Sequence, residues 1–360
     1  MKKIIPLKKI ILCFDNSDNS FVASEAALCI AKSFNAEVVG VHGYNAFMHE
    51  GAFRIMEPTL PQQYQKEEVL QKQRAVHTKL INVGMEKISL SYLKPLEDAF
   101  NAACVPYRMR VKEGKNFKSV IELLTDEGGD LVVVGSSGFN SNGNGFVGSV
   151  CLRVLRTNDR NFLVVKKSLA LHDNPNFVVG LDGSSSAIRA LRAAKLFAEK
   201  FGAELHLVYV FDSKLHRDIF ERLKESVINS EGFAFNTKEQ EKIHDEFIDK
   251  GLARVGSLIL HKAEREIFGE ISEGALSAHG WGLVGERGDM PRIKRVLEGH
   301  IYRKICDYAA EVNADLIFVG RTGRHFVDGM DLGSVTENVV RFSSSNVFIA
   351  QQEEYKGWEL

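Results

Sequence analysis

The stretch Gly320-Arg321-Thr322-Gly323, followed after nine further residues by Gly333-Ser334, is the feature that most limits what this chain can fold into. An apolar run, Leu316 to Val319, leads into it, and an amphipathic run, Val335 to Phe342, leads out. That order reads as a buried strand, a glycine-rich loop and a helix start. Loops of this kind hold phosphates, because glycine lets the backbone approach closely, successive N–H groups converge, and the helix N-terminus adds positive dipole. The lysine of a P-loop is missing at the required spacing, so this is not a Walker A motif. A tight strand-to-helix connection can also use glycine for structural reasons alone.

The stretch occurs twice. Gly135, Gly138, Gly148 and Ser149 repeat the intervals after the apolar run Leu131 to Val134. Glu113-Gly114 and Glu298-Gly299 stand at one offset upstream of the two loops. A duplicated loop in register divides the chain into two similar halves. The halves are residues 1–168 and 176–360, joined by a linker around Asp173, Asn174 and Pro175. Asp15 and Asp182 are 167 residues apart and Gly135 and Gly320 are 185 apart, so 18 extra residues lie between, in an insertion around 212–292.

At 360 residues the chain suits two domains that each bury a core. A formal net charge of -1 sets up no field that would draw nucleic acid or an acidic membrane. No apolar run approaches transmembrane length. Met1 to Phe14 reads as a first strand, since Asp15 follows at once without a cleavage site. Five scattered cysteines, an odd number mostly within apolar patterns, are expected to be buried thiols of a reducing, cytoplasmic compartment. The eleven histidines show no metal-ligand spacing, so no metal site is supported.

Near-continuous Val/Ile/Leu strands alternate with helices, which predicts parallel sheets covered on both faces. In the first half the strands fall near 9–14, 38–41, 107–111, 131–134 and 162–166. Residues 46–61 read as an irregular loop, and Gln62 to Ala103 as a long helix broken or kinked at Pro95. The second half repeats the order. Its insertion carries a helical pattern through Ile243, Phe247, Leu252, Val255, Leu258 and Ile259. A glycine-rich stretch from Glu273 to Gly288 with Trp281 follows, read as a docking loop or a surface excursion. Arg287, Arg292, Lys294 and Arg295 read as a solvated basic cluster.

Both loops resemble the G-x2-G-x9-G-[ST] signature of the universal stress protein family, in its ATP-binding branch. The similarity is strongest over residues 8–43, 107–167, 176–211 and 293–351. The resemblance implies two tandem doubly wound α/β domains, each a five-stranded parallel sheet with helices on both faces, of adenine nucleotide α-hydrolase-like fold. It places an aspartate at the end of strand one beside the adenosine moiety, matching Asp15 and Asp182. It also places a strand-two valine near the adenine, where Val210 fits and the first half has Gly43. The phosphate side would comprise Gly320, Gly323, Arg324, Gly333, Ser334 and Val335 in the second half. In the first half it would comprise Gly135, Gly138, Gly148, Ser149 and Val150.

Structural explanations compete at each position. Asp182 alone could cap the next helix, and Ser334 with Glu337 reads as a capping box. Arg321, Arg324 and His325 could meet phosphates or be solvated. Asp328 and Asp331 oppose phosphate unless a divalent cation such as Mg2+ bridges them.

The expected function is an ATP-binding stress-response or signalling protein with an adenine nucleotide as its partner. The alternatives are a slow ATP hydrolase and a nucleotide-free scaffold. The serine-glycine-glycine loop of adenine-nucleotide α-hydrolases is missing after strand one, and no nucleophile and base pair stands out. The second site is expected to bind better than the first. The last strands, Phe162 to Val165 and Val347 to Ala350, are expected to pair antiparallel as an internal pseudo-dimer, which leaves a homodimer of the whole chain open.

Overall fold

The computed structural model describes residues 7–138, 147–169, 174–214, 249–269, 290–324 and 332–351. They form two compact units that divide between Leu169 and Ala170.

Unit one runs β1 (Lys9–Cys13), α1 (Asp18–Phe34), β2 (Glu37–Tyr44), α2 (Phe47–Met56), α3 (Glu67–Ala102), β3 (Tyr107–Glu113), α4 (Asn116–Glu127), β4 (Leu131–Gly135), α5 (Ser149–Thr157) and β5 (Asn161–Val165). Its strand order is β3-β2-β1-β4-β5, and every pairing is parallel. Unit two runs β6 (Asn176–Gly180), α6 (Ser185–Phe201), β7 (Glu204–Phe211), α7 (Asp249–Phe268), β8 (Arg292–Glu298), α8 (Ile301–Glu311), β9 (Leu316–Gly320), α9 (Ser334–Phe342) and β10 (Asn346–Ala350). Its order, β8-β7-β6-β9-β10, is the same and equally parallel. Each unit is therefore a doubly wound α/β sheet with helices on both faces. The direction of winding reverses between β1 and β4, and again between β6 and β9. In such sheets a crevice opens there, beyond the carboxyl ends of the strands.

Local sequence sets the helix ends. Ser17 caps α1 by accepting from Ser20 N, and Ser184 caps α6 by accepting from Ala187 N at 3.2 Å. α6 stops at Gly202, whose φ of 67° lets the chain turn left-handed. The cores differ in kind. In unit two the ring of Phe318 lies 5.5 Å from Phe177, 5.7 Å from Phe197 and 5.1 Å from Phe348. The matching positions of unit one are Val133, Ile10, Ile30 and Leu163, all fully buried. Burying each such side chain stabilises by about 1.5–3 kcal/mol.

Four expectations are corrected. Residues 47–56 are helical, because both prolines come after α2, and Pro58 is the second residue of the 3-10 turn Glu57–Thr59, where its missing N–H costs nothing. α3 is not broken at Pro95 but continues through it. The carbonyl left without a donor belongs to exposed Ser91, and a cost of about 3 kcal/mol is offset by burial of Leu93, Leu96 and Phe100. Arg292 and Lys294 are buried rather than solvated, because α7 covers β8 and places Glu264 between them. Arg292 Nε is 3.2 Å from Glu264 Oε1, Lys294 Nζ bonds Oε2, and the Arg292 guanidinium sits 4.5 Å above the Phe268 ring. Arg287, Ile243, Phe247 and the Glu273 to Gly288 stretch lie outside the described residues. Of the cysteines Cys151 is buried, Cys13, Cys29 and Cys306 are half-buried, and Cys104 is exposed at a turn with φ 58°. Among the described residues no helix is long and apolar enough to cross a membrane.

Candidate functional site

In unit two, β6 delivers Asp182 and β9 delivers the glycine loop to the same end of the sheet. Asp182 Oδ1 accepts from Ser184 N at 2.8 Å, while Oδ2 accepts from Arg324 N at 3.2 Å, 142 residues away. The cap of α6 is Ser184, so Asp182 is not a helix cap but a tie between the first turn and the glycine loop. Gly183 makes the tie possible. Its φ is +83°, and a methyl group there would lie 2.6 Å from Arg324 Nη2. The guanidinium therefore lies across bare backbone.

Ser186 Oγ accepts from Arg321 N at 2.6 Å and from Thr322 N at 3.4 Å, which anchors the loop on α6. The glycines mark close approaches. A methyl group on Gly320 would meet the Ser186 carbonyl carbon at 2.6 Å, and one on Gly323 would meet Asp182 Oδ2 at 3.0 Å. One on Gly333 would meet Arg321 O at 3.2 Å. Gly333 N donates to that same carbonyl at 2.9 Å, and Thr336 Oγ1 donates to Gly320 O at 2.6 Å.

The helix start departs from the expected capping box. Gly333 is the N-cap of α9, Ser334 is already the first helical residue, and Glu337 Oε1 accepts instead from Arg341 Nε and Nη2, at 2.9 and 2.7 Å. A serine one position inside the helix points away from the N–H it would have to cap. The first helical N–H groups consequently have no partner within the helix and face outward with its positive dipole.

These parts surround a cavity of about 540 Å³. Asp182, Val210, Gly320, Gly323, Arg324, Gly333, Ser334 and Val335 all line it. Arg321 does not. Its side chain is buried and turned inward, so it is neither solvated nor a lining group. His325, Asp328 and Asp331 lie outside the described residues, and with them the expected cation bridge. Among the described residues no cluster of three or more His, Cys, Asp or Glu could hold a metal ion.

The loop signature does not point to the remaining lining residues. Tyr209, Phe211 and Leu252 also line the cavity, as do Ile301 and Ile305 of α8 and Thr336 of α9. Tyr209 is brought there by α7. A methyl group on Gly256 would fall 2.4 Å from its ring, so α7 packs directly on it. Burial raises the Tyr209 pKa and Arg324 opposes the shift, which puts that cation within electrostatic reach of the phenol. Helical spacing marks Leu252 as apolar, but nothing local says which cavity it faces.

Unit one repeats the frame. Asp15 Oδ1 accepts from Ser17 N at 3.1 Å and Ser17 Oγ at 2.5 Å. A methyl group on Gly138 would meet Asp15 Oδ2 at 2.6 Å, and one on Gly135 would meet Asn19 O at 2.8 Å. Gly148 N donates to Ser136 O at 2.6 Å and caps α5, which puts Ser149 and Val150, both exposed, in its first turn. Gly43 pairs with Lys112 of β3 as Val210 pairs with Leu297 of β8, so the two hold one register position. Residues 139–146 of the loop lie outside the described residues.

Comparison with known proteins agrees with this architecture. The family model described as the universal stress protein family matches residues 6–166, 174–231 and 285–351. A universal stress protein of Methanocaldococcus jannaschii is 28% identical over 165 residues, which is 44% of this chain and 82% of that protein. The crystal structure of a universal stress protein from Archaeoglobus fulgidus DSM 4304 aligns with 96% of this chain and 98% of its own, at TM-score 0.54 and 20% identity. A protein of unknown function from Pseudomonas aeruginosa PAO1 aligns with 96% of this chain and 92% of its own, at TM-score 0.56 and 12% identity. The matched segments cover most of both units, and the chain belongs to the universal stress protein family.

Proposed function

We propose that unit two binds an adenine nucleotide, ATP in the first instance, and that occupancy rather than turnover is its output in a stress-response or signalling role. The observation that carries this reading is the convergence of Asp182, Val210, the second glycine loop and the start of α9 on one cavity. The residues fit such a ligand. A volume of about 540 Å³ lies within the usual range for small-molecule sites of about 300–1,000 Å³. The glycine cradle and helix start suit a polyphosphate, Arg324 adds a cation, and Asp182 can accept from a ribose hydroxyl. Val210 and the apolar residues of the lining suit a base. Mg2+ would travel with the polyphosphate, and titration with and without it tests that part separately.

Asp182 is held by two backbone N–H groups as an acceptor, which leaves it poorly placed as a general base. Turnover is therefore expected far below the usual enzyme range of about 1–1000 per second. The test is to denature the purified protein, identify released nucleotide by mass spectrometry, and titrate the stripped protein calorimetrically. An adenine nucleotide bound one per chain supports the reading, and no heat with any adenine nucleotide overturns it.

We also propose, from their apolar sequences, that β5 and β10 pair with each other. Residues 1–169 and 174–360 expressed separately should then co-elute as a one-to-one complex, and failure to associate would sink the idea.

A further inference from the structure

α3 has 36 residues, about 54 Å at 1.5 Å per residue, whereas β2 beneath it has 8. Its last third is anchored, with Leu93, Leu96 and Phe100 buried. Between this anchor and the buried Leu70 near the start of the helix, Val76 is 62% exposed, Leu80 67% and Val83 42%. Val69, Val76, Val83 and Leu90 recur every seven residues, and of the alternate positions Gln73, Leu80 and Lys87 the apolar one is Leu80, so Val76, Leu80 and Val83 make the centre of a short coiled-coil seam without its partner helix. α2 leaves it open. Phe53 stacks on His77 at 4.2 Å and Glu57 holds Arg74 at 2.7 Å, both on a neighbouring flank. On the opposite flank stand Lys72, Lys79 and Glu86, again seven apart. Lys79 and Glu86 are exposed, and neither is in a salt bridge within the described residues.

We propose that this seam is the contact between two copies of the chain, joined antiparallel about a twofold axis near residues 81 and 82. A twofold contact sets one surface against the same surface of the other copy. In this register Leu80 packs against Val83 of the second copy, and Val83 against its Leu80. The charged flank then becomes self-complementary, because Lys79 meets Glu86 of the second copy and the pair occurs twice. A parallel arrangement would set Lys79 and Glu86 opposite Gly84 and Ser91, with no ion pair gained. The near-neutral chain adds no long-range repulsion. Covering Leu80 and Val83, with Val76 against the aliphatic stem of Lys87 of the second copy, removes apolar surface that a monomer would leave in water.

Sedimentation of the full chain from low to high micromolar concentration tests this. A reversible dimer is expected. Leu80→Glu should weaken it by about 100-fold or more, as for a central apolar anchor. Lys79→Glu and Glu86→Lys should each weaken it by about tenfold. The double variant should regain affinity to within about threefold, since the swapped charges pair again. Circular dichroism should show unchanged helix content, since every altered side chain is exposed. A monomer at all concentrations, a dimer indifferent to Leu80→Glu, or charge reversals without mutual rescue would each overturn the proposal.

Discussion

The two units share a backbone and the aspartate–serine–glycine frame of the site, and they differ in most of the side chains around that frame. Phe14 N donates to Val41 O at 3.0 Å in unit one, and Leu181 N to Val208 O at 2.8 Å in unit two, so the registers coincide. At the outer strand, unit one stacks Tyr107 on Phe100 at 4.8 Å, whereas unit two buries Arg292 and Lys294 around Glu264. At the site, Asn16 and Gly183 hold the same left-handed turn, with φ of 63° and 83°, but only the glycine leaves room for Arg324. Cys13 and Cys151 stand where unit two has Gly180 and Thr336, and burial pushes both thiols up to about 12, which keeps them protonated. The fold tolerates these exchanges because it needs only apolar strands and correct turns. A ligand site does not, since it depends on particular atoms at particular distances.

The largest expected effect falls on the outer strand. Glu264→Leu leaves two buried cations without their carboxylate and should cost about 3–5 kcal/mol of stability. Tyr107→Phe at the matching place loses only a 3.4 Å hydrogen bond to Leu93 O and should cost about 1 kcal/mol or less. Denaturant melts of the two variants compare them directly, and equal losses would mean that the ion cluster is not what holds β8.

The next effect concerns ligand affinity. Gly333→Val crowds Arg321 O and the phosphate approach, and should weaken ATP binding by about 100-fold, or about 2.7 kcal/mol. Gly148→Val should change the titration by less than about threefold. The reverse order would overturn the claim that unit two is the stronger site.

Arg324→Ala should weaken ATP by about tenfold with little change in melting temperature, because the side chain is exposed. Adenosine, lacking phosphates, should bind the variant as well as the parent. If both ligands weaken together, Arg324 shapes the turn rather than meeting the phosphates.

The smallest effect tests the turn. Gly183→Ala combines positive φ with the Arg324 contact and should cost about 1 kcal/mol. Asn16→Gly in unit one should lie within about 0.5 kcal/mol of the parent. A neutral Gly183→Ala would show that Arg324 can move aside freely.

Much of this architecture is legible in the order of the amino acids. Strand runs such as Leu131 to Val134 and Leu316 to Val319, the loop intervals and the doubly wound fold follow from periodicities a few residues long. Of the residues that line the cavity, Gly320, Gly323, Arg324, Gly333, Ser334 and Val335 lie in or beside the loop signature, and Asp182 and Val210 are positions that the family resemblance implies. The serine-and-glutamate box misleads, because its spacing is right while the helix begins one residue early. Arg292 and Lys294 mislead because charge usually means solvent, and α7, which covers them, comes from the insertion.

By itself the sequence determined which segments are strands, where the chain must turn, and that one half echoes the other, because those properties depend on neighbours in the chain. The tertiary structure alone decided that Asp182 reaches Arg324 N and that Ser186 anchors the loop. It also decided that Arg321 turns inward while Arg324 faces the cavity, and that Tyr209 and Leu252 join its lining. Each of these is set by burial and hydrogen bonding between residues far apart in the chain, and no local period encodes which distant surface a side chain will meet.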